Sequence, residues 1–102
     1  MTELIENRLA ELTELCRCHH VKTLELFGSA AEDAFNPQSS DVDFLVDFLP
    51  LPPTAHSQAY FGLWFALAEL FGRKVDLVET PAVTNPYFLK SIHSSRRVLY
   101  AA

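Results

Sequence analysis

The sequence predicts an α/β (α+β) fold, a small mixed β-sheet flanked by helices. Three observations point there. Short apolar runs with strand-like alternation recur at Val21–Phe27, Val42–Phe48 and residues 74–79. Two helix-period stretches surround them, one amphipathic at residues 3–18 and one long and apolar at residues 55–71. The connections alternate, a short one between the first two strands and a helix-bearing one between the second and third, and these give different strand directions.

In order, residues 3–18 set Leu4, Ile5, Leu9, Leu12, Leu15 and Cys16 at helical spacing, with Glu3, Glu6, Arg8, Glu11 and Glu14 between them. That is a helix packed on one side. Val21–Phe27 is the first strand. Residues 29–34 have helix-forming composition, which Asn36-Pro37 ends. Val42–Phe48 is the second strand, and residues 50–53 form a stiff proline-rich connector without ladder hydrogen bonds. The 55–71 helix contains Tyr60, Phe61, Leu63, Trp64, Phe65, Leu67, Leu70 and Phe71, and Gly72 suits its C-terminal cap. Apolar content on more than one face means either burial on two sides or a patch for a partner. Residues 74–79 form the third strand, closed by Thr80-Pro81. Asn85-Pro86 opens a short helix to about residue 93, and residues 97–100 suit a last strand. The first two strands should be antiparallel. The second and third should be parallel, joined by a right-handed crossover.

The 102 residues fit one domain spanning 1–102. With 49% hydrophobic residues and 8 Phe, a packed core needs neither disulfides nor a structural metal. No apolar run is long enough to cross a membrane. The start, Met1-Thr2-Glu3-Leu4-Ile5-Glu6, is acidic and unlike a signal peptide, so a cytoplasmic location is expected. A net charge of −5 argues against direct duplex DNA binding, which needs a basic patch. It does not exclude a nucleotide, provided metal ions stand between protein carboxylates and phosphates. Cys16-Arg17-Cys18-His19-His20 gathers soft ligands, but no second half follows at finger-like spacing. A helix end, with Cys16 on the apolar face, is the alternative reading.

The chemistry lies in carboxylates. Asp41 and Asp43 alternate with Val42 and Phe44, so both acids project from one strand face, their Cα atoms roughly 6.5–7 Å apart. Both can lean onto one divalent ion while the apolar residues face a core. Asp47 shares their parity but lies about 13 Å beyond Asp43 along the strand, which excludes it as a ligand. Asp76 interrupts the apolar third strand. Buried, it would need a pair or a metal; on an edge strand it would be tolerated as it stands. On a strand beside Asp41 and Asp43 it completes an oxygen-rich site suited to Mg²⁺. Gly28-Ser29, closing the first strand, lets backbone N–H groups and a hydroxyl approach a phosphate.

Leu26-Phe27-Gly28-Ser29, Asp41-Val42-Asp43-Phe44-Leu45-Val46 and Val75-Asp76-Leu77-Val78 together resemble the minimal nucleotidyltransferase (MNT) domain of the DNA polymerase β-like superfamily. The resemblance covers nearly the whole chain. It is strongest to the stand-alone MntA-type antitoxins encoded beside HEPN-type ribonuclease toxins. It implies an Mg²⁺-dependent adenylyltransferase moving AMP from ATP onto a tyrosine of the toxin, with two metal ions. Gly28 and Ser29 would hold the triphosphate, Asp41 and Asp43 would bind both ions, and Asp76 would complete the second metal site and help activate the hydroxyl. A hetero-oligomer with the toxin is implied. Many relatives carry Arg-Gly three and four residues after the serine, where this chain has Glu32 and Asp33; the loss of a cation there bears on nucleotide binding and rate. That departure, with the aromatic 55–71 helix, motivates a second reading, an antitoxin that neutralises by binding and masking. A third leaves the acids as solvated edge charges. His56 and His93 are read as helix-surface residues without a role. Arg73 and Lys74 are read as a solvated helix end or as cations steadying nucleotide or partner charge, and Arg96 and Arg97 as ordinary surface or partner contacts.

Overall fold

The computed structural model describes residues 3–27, 42–79 and 97–102. Its elements are α1 (Glu3–Glu6), α2 (Leu9–Cys18), β1 (Val21–Phe27), β2 (Val42–Phe48), α3 (Pro53–Phe71), β3 (Val75–Glu79) and β4 (Arg97–Ala101). The helices expected over 29–34 and 85–93 lie outside the described residues.

The four strands form one mixed sheet in the order β3-β2-β1-β4. β1 pairs antiparallel with β2 and with β4, while β2 pairs parallel with β3. The parallel pair is joined through α3, as the connection lengths require.

The amphipathic stretch at residues 3–18 is two helices rather than one. Asn7 and Arg8 form the break: Asn7 N–H donates to Glu3 O at 2.9 Å, but Arg8 N–H donates to Ile5 O, a tightened bond of 3.0 Å. Asn is a weak helix former, and Arg8 has left the helical region, at φ −120 and ψ 12. The apolar stripe nevertheless continues across the break, so Ile5, Leu12 and Cys16 are all buried.

α3 begins two residues earlier than the sequence suggests, because Pro53 is accommodated in the first turn, where its missing N–H has no partner to lose. It ends at Gly72, whose left-handed φ of 61 lets its N–H donate back to Ala68 O at 2.8 Å.

Alternation along the strands sorts the sheet into two faces. Leu24 and Leu26 of β1, Phe44 and Val46 of β2, and Leu77 of β3 lie on the inner face, in one core with Leu12 of α2 and Leu63, Leu67 and Phe71 of α3. Phe44 and Phe71 stack at 5.9 Å between ring centroids. Fully burying such a ring contributes about 3 kcal/mol. The opposite face carries Phe27, Asp43, Leu45, Asp76 and Val78, with Phe27, Leu45 and Val78 forming a separate small cluster.

Candidate active site

Asp43 and Asp76 are register partners across the parallel β2–β3 ladder, and Phe27 is the register partner of Asp43 on β1. The three side chains form one row across the outer face. Adjacent strands lie about 4.8 Å apart, so the carboxylates stand as direct neighbours. The next row toward the other end of the sheet, Glu25–Leu45–Val78, is largely apolar. The paired acids therefore mark one end of the sheet, that at which β1 ends and β2 begins. Asp43 is half-buried and Asp76 exposed.

Of the two environments open to Asp76, the structure gives the edge: β3 is the outermost of the described strands on its side and the side chain is exposed, so no desolvation cost demands a partner. What marks Asp76 is its position opposite Asp43. Gly28, Ser29 and Asp41 lie outside the described residues, as do Glu32, Asp33 and His93. Phe27, the residue before Gly28, and Val42, the residue after Asp41, both stand at this end of the sheet. Asp47 faces Thr23 further along the ladder and does not line the site.

A groove of about 560 Å³ opens over the row. Phe27, Asp43 and Asp76 line one part, and Tyr60, Phe61 and Trp64 of α3 line the other, with Lys74 at the rim. The aromatics come from a helix that the strand motifs do not include, which is why reasoning from acids and glycine missed them. The signal was present in their spacing: Tyr60 and Trp64 are four residues apart and share one helix face. Tyr60 hydroxyl donates to Leu77 O at 2.5 Å, and Trp64 Nε1–H donates to Val75 O at 2.9 Å. Burial first, then the charges of Glu79 and Asp76, push the Tyr60 hydroxyl above its ordinary 10.0. It therefore stays protonated, and a donor, at neutral pH.

Sequence reasoning also missed the pair of His56 Nε2 and Glu79 Oε1, which joins the start of α3 to the end of β3. His56 is half-buried there, with its ring edge-on to Phe48 at 5.2 Å. The cysteine–histidine segment is a helix end. Cys16 is buried in the core, Cys18 is exposed, and His19 Nδ1–H donates to Leu15 O at 2.8 Å.

The donor set of the groove is hard. Two carboxylates face it from adjacent strands, and its described lining contains no Cys, Met or His; such oxygen ligands fit Mg²⁺. Among the described residues Asp43 and Asp76 form no three-ligand cluster with another His, Cys, Asp or Glu, and Asp41 is outside that set.

The family model described as a nucleotidyltransferase domain matches residues 9–99. "Putative protein adenylyltransferase MJ0128" of Methanocaldococcus jannaschii is 36% identical over 92 residues, covering 82% of this chain and 90% of that protein. A second protein of that organism, "Putative protein adenylyltransferase MJ1379", is 35% identical with the same coverage. A solved structure described as a "putative minimal nucleotidyltransferase" aligns with a TM-score of 0.74 at 25% identity, over 93% of this chain and 92% of its own. A toxin–antitoxin structure with AMP-PNP aligns with a TM-score of 0.69 at 21% identity, covering 92% of this chain and 73% of that one. The complex of a tri-AMPylated Shewanella oneidensis HEPN toxin with its MNT antitoxin gives 0.65 at 19% identity, over 95% and 72%. At those identities the last two speak to the fold alone. With a family model over residues 9–99, relatives above 30% identity over most of their length and a shared fold, the chain belongs to the nucleotidyltransferase domain family and is a nucleotidyltransferase of the minimal, MNT type.

Proposed function

We propose that this protein is an Mg²⁺-dependent protein adenylyltransferase that moves AMP from ATP onto a tyrosine of a HEPN-type ribonuclease toxin, and so acts as that toxin's antitoxin. The observation that carries the reading is the in-register pair Asp43–Asp76 beside the groove. Support for the acyl-free, phosphoryl-type chemistry comes from the relatives named for protein adenylylation and from the fold shared with a toxin–antitoxin complex holding AMP-PNP.

In this reading Gly28 and Ser29 hold the triphosphate through backbone N–H groups and the Ser29 hydroxyl. Asp41 and Asp43 bind two Mg²⁺ ions, and Asp76 completes the second metal site. Bound there, the metal supplies charge neutralisation at the attacking and departing oxygens. The acceptor phenol oxygen bonds to the α-phosphorus, the bond from that phosphorus to the bridging oxygen breaks, and pyrophosphate leaves. The phenol proton passes to the Asp76 carboxylate. Asp76 suits this role because its carboxylate is exposed beside the groove. The protein would work in the cytoplasm, in a hetero-oligomer with the toxin.

The test is incubation of the purified protein with α-labelled ATP, Mg²⁺ and the partner encoded beside it. Label should pass to the partner, and Asp43→Asn should lower the rate by ~100-fold or more. Absence of transfer with an ATP-binding wild type would overturn the proposal.

A second reading, neutralisation by masking, is favoured by Phe61 and Phe65, which are 57% and 66% exposed on α3. Full protection of cells by the Asp41→Ala/Asp43→Ala variant would select masking. Loss of protection would select modification.

A further inference from the structure

β3 has β2 on one side and, among the described residues, no strand on the other. In a parallel ladder, successive residues turn their backbone groups to alternate sides. Lys74 O accepts from Val42 N–H at 3.3 Å, so Lys74, Asp76 and Val78 address β2 while Val75 and Leu77 address the open edge. Both outward carbonyls are occupied, Val75 O by Trp64 and Leu77 O by Tyr60.

The spacing explains how one helix reaches both. Residues four apart on a helix are separated by about 6 Å along its axis, and residues two apart on a strand by about 6.6 Å. α3 runs against β3, so the earlier helix residue, Tyr60, meets the later strand residue, Leu77. The residue bracketed by the two bonds is Asp76. Holding the carbonyls on both sides fixes the backbone of Asp76, and with it the direction of its Cα–Cβ bond into the groove.

We infer that Tyr60 and Trp64 are positioning residues, a two-point clamp on β3 that holds the Asp76 carboxylate at the angle needed to share a divalent cation with Asp43. The inference rests on the reading of Asp76 as a metal ligand. Mg²⁺ demands near-ideal octahedral geometry, so a ligand on a loosely held edge strand loses affinity. Groups behind a metal ligand act in the same way when they orient it. The clamp also closes the sheet edge against unwanted pairing, but edge closure alone would stabilise the fold without affecting the metal.

The experiment uses Tyr60→Phe, Trp64→Phe, the double variant, Asp76→Asn, and Cys16→Ala as a destabilised control remote from β3. Free Mn²⁺ is followed by electron paramagnetic resonance in the presence of a non-hydrolysable ATP analogue, so no turnover is needed. The Mg²⁺ dependence of AMP transfer is measured separately, and folding is checked by circular dichroism. Each single conservative variant should raise the half-saturating metal concentration by ~5-fold, and the double variant by ~10-fold or more. Excess Mg²⁺ should recover most of the transfer rate that each variant loses at limiting metal. Cys16→Ala should lower the melting temperature and leave the metal midpoint alone. Wild-type Mn²⁺ binding in the double variant, with binding lost in Asp76→Asn, would overturn the clamp and leave the metal reading standing. Wild-type binding in Asp76→Asn would overturn the metal reading and the clamp with it. Tyr60→Phe keeps its ring in place, so it decides the matter even if the Trp64 variants fail to fold.

Discussion

Cys16 lies fully buried on the inner side of α2, and burial pushes its thiol from 9.0 up to about 12. The folded state therefore holds this proton more tightly than the unfolded chain. That contribution is complete below pH 9.0 and is lost as pH rises toward about 12. Cys16→Ala should remove this part of the alkaline decline in stability, which chemical denaturation at several pH values above 9.0 would detect. Native protein at neutral pH should also present one reactive thiol to an alkylating reagent, exposed Cys18, and two once unfolded. An equal, fast reaction of both thiols in native protein would contradict the burial. At this scale the sequence was legible wherever alternation decides the outcome. The parity of Asp43 against Val42 and Phe44 follows from the strand period alone, as does the inward face of Cys16 from the helix period. It was illegible where two residues meet across the fold. His56 and Glu79 are 23 positions apart and belong to elements whose contact no local pattern reports. Tyr60 and Trp64 could be placed on one helix face, but their bonds to β3 required knowing that α3 lies along that edge.

At the scale of elements, β1 and β2 coincide with the apolar runs because each is bounded by a change of composition that a strand needs. The single helix expected over residues 3–18 fails at Asn7-Arg8, since an amphipathic stripe survives a tightened turn and does not reveal it. α3 shows the opposite case. Its surplus of apolar residues left two outcomes open, burial on both sides or an exposed patch, and both occur: Leu63, Leu67 and Phe71 are buried while Phe61 and Phe65 stand in solvent. The C-terminal stop of α3 was legible because only a residue free of Cβ strain suits the left-handed position after Phe71. A Cβ at Gly72 would meet nothing within 4 Å, so crowding is absent and the backbone alone sets the penalty. Gly72→Ala should therefore lower stability by about 1 kcal/mol, through strain at φ 61. Denaturant unfolding should show a shifted midpoint with an unchanged slope. A neutral or stabilising result would mean that α3 ends differently in solution.

For the whole molecule, topology followed from connection type, because a short link and a helical crossover allow different strand directions. Part of the site did not follow in this way. The two acids that meet come from β2 and β3, which the crossover brings side by side; the groove wall comes from α3, whose packing angle is a tertiary property. The net charge of −5 adds a constraint at the same scale. A nucleoside triphosphate approaching Asp43 and Asp76 meets like charge in the groove and in the field of the whole protein. Unit charges about 4 Å apart at the surface repel by roughly 4 kcal/mol, enough to abolish binding unless cations intervene. The chain holds a single tryptophan, Trp64, and it lines this groove, so its emission is a native reporter. Titrating a non-hydrolysable ATP analogue in Mg²⁺ should change that emission with saturation, whereas in excess chelator the apparent affinity should fall by ~100-fold or more. Asp43→Asn in chelator should regain part of the lost affinity, since it removes one repelling charge, and in Mg²⁺ it should bind more weakly than wild type, since it removes a ligand. That reversal of sign separates an acid that gathers a cation from one that merely faces solvent. Equal binding with and without the metal would mean that these carboxylates do not stand between the protein and a nucleotide.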